Sequence, residues 1–141
     1  MRLILSLLAI IAIFPATASA YALDDQLSCT GTAHDFVNSL VNERSIETPA
    51  MHVEANSVNA FRPAHDAVLT AFGLRVRAVF GYEPDDPLFK TGGSKSPSGP
   101  TYGVVVFGSA DAVKRRLAEA GSAAIVHPVI PLVLTAVVCR G

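Results

Sequence analysis

Cys29 and Cys139 are the only two cysteines of the chain, and they lie near the two ends of the region beyond the N-terminal segment. A bond between them would close almost the whole domain into one loop. The stretch around Cys29 would then have to sit beside the last element of the fold. The spacing is not CxxC, which sets aside a redox or tight metal pair. On the chain-entropy account a loop this long stabilises by roughly 4–5 kcal/mol. Such a bond needs an oxidising compartment, and the N-terminus predicts one.

Arg2 is a short positive start, followed by twelve apolar-core residues from Leu3 to Phe14. Pro15 breaks the run, and Ala18 and Ala20 place small residues at the −3 and −1 positions of a cleavage site. This is the anatomy of a secretory signal peptide cut after Ala20. The run falls short of the roughly 20 residues that span a bilayer. No cysteine comes just after the cut, so a lipoprotein anchor is not indicated. The expected organisation is a signal peptide over 1–20 and a single domain over 21–141, periplasmic or secreted. Without Arg2 the remaining chain has ten basic and twelve acidic side chains, a net charge of about −2. That argues against nucleic acid or an anionic membrane as a partner. The one basic cluster, Lys114 to Arg116, fits a solvated helix face.

Thr32, with Asp35 three residues on, predicts a helix N-cap. Ala33, Phe36, Val37, Leu40 and Val41 come next at helical spacing, so a helix is expected over 33–44. Met51, Val53 and Ala55 alternate with His52, Glu54 and Asn56, as in a half-buried strand. Pro63 suits a first helical turn. Phe61, His65, Val68, Leu69 and Phe72 form an apolar stripe, with Gly73 as its cap. Leu74, Val76, Ala78 and Phe80 then alternate, with Arg75 and Arg77 facing away. Thr101 to Gly108 reads as a strand. Ser109 or Asp111 caps a helix that turns Val113, Leu117 and Ala120 inward and ends at Gly121. Ala123 to Cys139 is almost wholly apolar but contains His127, Pro128 and Pro131, which predicts one strand with an irregular start.

The order is that of an α+β, ferredoxin-like split βαβ domain (βαββαβ) with an extra N-terminal helix and one disulfide. The last strand of such a sheet lies at an edge, yet Leu132 to Val138 is apolar on both faces. Something must cover it. The first helix, tied there by the disulfide, is one cover; a homodimer joined through that edge strand is the other.

Several short motifs invite chemistry. Lys90 to Gly93 reads KTGG, as in penicillin-binding proteins and serine β-lactamases, but no S-x-x-K accompanies it. Gly92 to Ser96 ends like a phosphate-binding loop, but Phe89 and Ser94 stand where its two glycines belong. Ser98 to Tyr102, SGPTY, resembles the Ser-Gly-x-x-Tyr and Ser-Gly-x-Tyr loops of exported bacterial lysozyme inhibitors. That resemblance covers five residues and implies a serine offered to a lysozyme cleft. Arg62 stands where an acylphosphatase would need an arginine. The preceding Asn56 to Phe61 has no glycine, and the next strand offers Arg75 and Arg77 rather than asparagine. His34 with Asp35, and His65 with Asp66, are sequence neighbours on predicted helices and so share no face. His52 and Glu54 do share a strand face, but two ligands are too few for a zinc site. His127, between apolar residues, reads as structural. No catalytic constellation, cofactor or metal site is indicated.

The connection from Glu83 to Pro100 is longer than ordered loops usually are. Its first half holds Pro84, Asp85, Asp86, Pro87, Leu88 and Phe89; its second is Gly, Ser and Pro with Lys90 and Lys95. An exposed Leu88–Phe89 beside charges would suit a protein contact. The expected function is non-enzymatic binding of another protein, of inhibitor, immunity or accessory type. The loop would contribute Asp85, Asp86, Leu88, Phe89, Lys90, Lys95, Ser98 and Tyr102. An open polar sheet face would contribute His52, Glu54, Arg75 and Arg77. The alternatives are a small periplasmic hydrolase, acylphosphatase-like or metal-assisted, and a lysozyme-inhibitor-like protein using SGPTY.

Overall fold

The short sequence Ala71-Phe72-Gly73-Leu74 decides the middle of the fold. Phe72 and Gly73 both have positive φ, 51° and 77°, as a two-residue type I′ turn requires. They therefore join two strands, Val68–Ala71 (β4) and Leu74–Tyr82 (β5), paired at Ala71↔Leu74 and Thr70↔Arg75. Asp24 accepts the Phe72 N–H at 2.9 Å, and Arg116 donates to the Phe72 carbonyl at 2.8 Å, so the turn is held from both sides. The helix expected over 61–72 is absent. Phe61 and Phe72 are both buried, but in different strands or turns of the sheet.

The computed structural model describes residues 10–14, 20–93 and 99–140. Ala20–Ala22 (β1) runs parallel to β4, with Tyr21 opposite Leu69. A one-turn 3-10 segment, Asp25–Ser28, leads to the helix Ala33–Asn42 (α1). Thr32 caps α1 as expected, its hydroxyl accepting the Asp35 N–H at 3.0 Å. His52–Val53 (β2) and Asn59–Phe61 (β3) form a hairpin, and β3 pairs with the C-terminal half of β5. Thr101–Phe107 (β6) leads through Ser109, whose Oγ accepts the Ala112 N–H, into the helix Ala110–Ala120 (α2). Gly121, at φ 65°, ends it.

The terminal apolar run is two strands, Ile125–Ile130 (β7) and Leu134–Arg140 (β8), turned at Pro131 to Val133. The sheet order is β1-β4-β5-β6-β8-β7, with β3 beside β5. β8 is antiparallel to both β6 and β7, so β6 and β7 run parallel with β8 between them. The expected edge strand is therefore an interior one, its backbone paired on both sides, with Val137 and Cys139 turned to the helices and Ala136 and Val138 turned to the other face. The fold is mixed α/β with a large sheet, two helices and one disulfide; the ferredoxin-like order is not what the strands form.

Both helices lie on one face of the sheet. α1 packs on β5 and β6, and α2 on β7 and β8. Under them runs an apolar row, partly buried Val126 and then buried Val137, Val104, Val79 and Phe61, each residue opposite the next across neighbouring strands. Phe36, Val37, Leu40, Val113 and Leu117 complete this core from the helices. Cys29 and Cys139 are bonded, fastening the end of the 3-10 segment to β8 beneath α1.

A register shift in the β5–β6 pairing between Val76 and Ala78 resets the alternation of β5. One extra residue in a strand flips every side chain after it. Val76 and Val79 face the helices; Ala78 and Phe80 face the other way, against the expected pattern. Gly81 then faces α1. A Cβ there would come within 2.8 Å of Val37 and 3.1 Å of the Phe89 ring, so a glycine lets both approach.

Candidate binding site

Neither helix covers the other face of the sheet, although Ala78, Phe80 and Ala136 on it are buried among their neighbours. Its centre is apolar, not polar as expected. Alternation on β6 and β8 sends Val105, Ala136 and Val138 outward, and β7 adds Ile125 and Val129. With Val58, Ala60 and Phe80 they line an open trough of about 430 Å³. Ile125 and Val129 are about half exposed, and Leu132, in the turn after β7, is 84% exposed. Glu54, Asn56, His127, Thr101 and Arg140 edge the trough with polar groups. An apolar centre with a polar rim is the composition of a docking surface.

Next to the trough is a second, more polar concavity of about 380 Å³. Arg62, His65, Arg75 and Arg77 line it, with Glu47, Leu69, Val76 and Phe107. Val105 of the trough and Phe107 of the concavity are alternate residues of β6, so the two abut on one face.

The structure therefore separates two groups that the sequence suggested as one. His52 and Glu54 pair with each other, Nε2 to Oε1 at 3.4 Å, with side chains 63% and 57% exposed. They belong to the β2–β3 hairpin, and Glu54 lies at the trough's edge. Arg75 and Arg77 belong to the other concavity. The hydrolase constellation of histidine, glutamate and arginines is not assembled in one pocket.

The long connection is closely held in its first half. Phe89 is buried, its ring centroid 6.5 Å from that of Tyr82, and Leu88 packs partly against the core. Neither is the exposed anchor that a contact loop would offer. The buried Asn59 bonds the backbone of Lys90 twice: Nδ2 donates to its carbonyl at 2.9 Å, and Oδ1 accepts its N–H at 3.0 Å. Ser57 Oγ accepts the Gly92 N–H at 2.9 Å. Asp86 Oδ1 accepts the Leu88 N–H, and its Oδ2 lies 2.6 Å from His34 Nδ1 on α1. Burial pushes the Asp86 carboxyl up, but the Leu88 N–H, His34 and Glu83 together hold it below its ordinary value. Asp85 and the Lys90 side chain remain exposed. Lys95 and Ser98 lie outside the described residues.

Tyr102 is not a loop residue. It is buried under α1, its ring 5.1 Å from Phe36 and its hydroxyl 3.4 Å from the Gly31 carbonyl. Burial raises its pKa, only partly opposed by that hydrogen bond.

Sequence reasoning missed the His34–Glu83–Asp86 cluster. One ligand atom from each lies within 4.8 Å of the others, so these three could hold a cation. His34 and Asp86 already satisfy each other, which gives the cluster a structural role as a latch between loop and helix. Their separation of 52 positions leaves no local signal. The outer trough was also missed, because its lining comes from strands that read as simply core.

No helix among the described residues is long and apolar enough to cross a membrane. Comparison with family models, with curated proteins and with solved structures finds no match for this chain.

Proposed function

We propose that the protein is an exported, non-enzymatic binding domain whose working surface is the uncovered outer face of its sheet, and whose partner is another protein. The observation that carries this reading is the trough itself. Half-exposed Ile125 and Val129 stand beside outward Val105 and Val138, on the face that neither helix touches. A sheet with one covered face ordinarily keeps polar residues on the other. Retaining valines and isoleucines there has a cost in solubility that binding a partner would offset. Export is part of the proposal: it rests on the N-terminal segment, and the Cys29–Cys139 bond accords with it.

The loop takes a supporting part in this reading. With Phe89 buried and Asn59, Ser57 and His34 holding the backbone and Asp86, its first half is a rigid wall beside the β2–β3 hairpin.

A photo-crosslinking residue placed at Val129, at Asp85 and at Arg115, in the protein expressed in its own cell, tests the assignment. The expected result is a discrete adduct with a second polypeptide from position 129, abolished by Val138→Asp, and none from 115. A discrete adduct from 85 alone would move the site to the loop and overturn the reading.

A further inference from the structure

The three arginines of the outer face are unlike Arg116, whose guanidinium is committed to the Phe72 carbonyl. Arg62, Arg75 and Arg77 make no side-chain hydrogen bond or ion pair among the described residues. The two salt bridges found there are His34–Asp86 and His52–Glu54. Glu47 lines the same concavity but lies in neither. Together the trough and the concavity carry Arg62, Arg75, Arg77 and Arg140 against Glu47 and Glu54, an excess of two positive charges, on a chain whose net charge is −1. The face that is apolar and open thus carries a local excess of positive charge.

We propose that this face binds a protein segment that is both apolar and acidic. Its apolar side chains lie in the trough, and its carboxylates meet Arg62, Arg75 and Arg77. The proposal rests on the reading of the outer face as the working surface and adds the chemistry of the partner. Guanidinium groups grip carboxylates with paired, directional hydrogen bonds. Phe107, 42% exposed on the border between the two depressions, gives an apolar step from one to the other.

The geometry favours a peptide segment over a lipid chain. A small ligand is normally buried on most of its surface. This trough is an open sheet face and covers one side of its occupant, as suits an amphipathic helix or a strand laid across it. Docking along the β7 edge is disfavoured. Pro128 has no N–H to donate, and the pairing of β7 is irregular between Pro128 and Ile130. Both features blunt an edge against strand addition.

Selection of a random peptide library on the full protein tests the idea, with the same selection on two double variants, Arg75→Glu/Arg77→Glu and Val129→Asp/Val138→Asp. Thermal melts confirm folding, and vesicles of phosphatidylglycerol serve as a lipid comparison. Wild type should enrich peptides that combine acidic and apolar residues. Their affinity should fall about tenfold or more on charge reversal, fall similarly in the trough variant, and weaken with salt. Apolar peptides without acids, lost only in the trough variant, would leave the working surface standing and overturn the partner chemistry. Peptides insensitive to both variants would overturn both. Enrichment of no peptide, tight vesicle binding in its place, or self-association through position 129 would each overturn the acidic segment.

Discussion

The two faces of the central sheet are built from the same strands and nearly the same residue types, yet they end in opposite states. On the inner face Val79, Val104 and Val137 lie under α1 and α2 and are fully or almost fully buried. On the outer face Val105, Val138, Ile125 and Val129 alternate with them and meet solvent at the trough. The lesson is that apolar alternation identifies a strand but does not say which face will be covered. That is settled by where the helices dock, and both dock on one side. The outer face is then left as surface with the composition of an interface.

Substitutions that insert a charge on each face should break this symmetry most plainly. Val104→Asp or Val137→Asp places an unpaired carboxylate in the core and should cost about 4 kcal/mol or more, read as loss of a cooperative denaturant transition. Val129→Asp should change stability by no more than about 0.5 kcal/mol in the same titration. Equal costs would mean that the outer face is core as well.

Removing both cysteines, Cys29→Ser with Cys139→Ser, should cost about 2–5 kcal/mol in the same assay. The bond itself lies on the inner face, so peptide binding to the outer face should persist at low temperature, where the chain stays folded. Asn59→Ala comes next. It removes the side-chain partner of both the Lys90 N–H and carbonyl and leaves a gap where the buried Asn59 amide lay, and should cost about 1–3 kcal/mol, with faster hydrogen exchange at residues 89–92. The latch follows. His34→Ala should cost about 1 kcal/mol or less, since His34 is 43% exposed. Because Asp86 is held below its ordinary value, its contribution is complete above the unfolded carboxylate pKa. It is lost as pH falls through the lower folded value, below about pH 4. An acid titration of stability should therefore separate wild type from Asp86→Asn above that pH and bring them together below it.

Local chemistry made part of this legible. Thr32, Ser109 and Gly121 mark the helix ends by side-chain or backbone rules that need only neighbouring residues, and both helices begin where the sequence says. The cysteines paired because each had one candidate partner. The segment 61–72 was misread because a short apolar stripe ending in glycine fits a capped helix or a hairpin turn equally well. Positive φ at Phe72 before Gly73 decides for the hairpin. The irregularity between Val76 and Ala78 carries no local signal, and it inverted the assignment of Ala78 and Phe80. The candidate site was the least legible part. Its lining comes from β5, β6, β7, β8 and the β2–β3 hairpin, brought together only by the strand order. Asn59 and Lys90, 31 positions apart, explain the loop's order, and only tertiary structure joins them.

Carbene footprinting reads the central claim most directly, because the reagent labels exposed apolar side chains. The protein would be labelled once as isolated gently from its own compartment and once after purification to a single chain. The account predicts strong labelling of Ile125, Val129 and Phe107 in the purified chain and protection of the same residues in the gently isolated material. Val104 and Val137 should stay unlabelled in both, and the loop from Glu83 to Gly93 should be unchanged. Equal labelling of the outer face in both preparations, with protection confined to the loop, would contradict it.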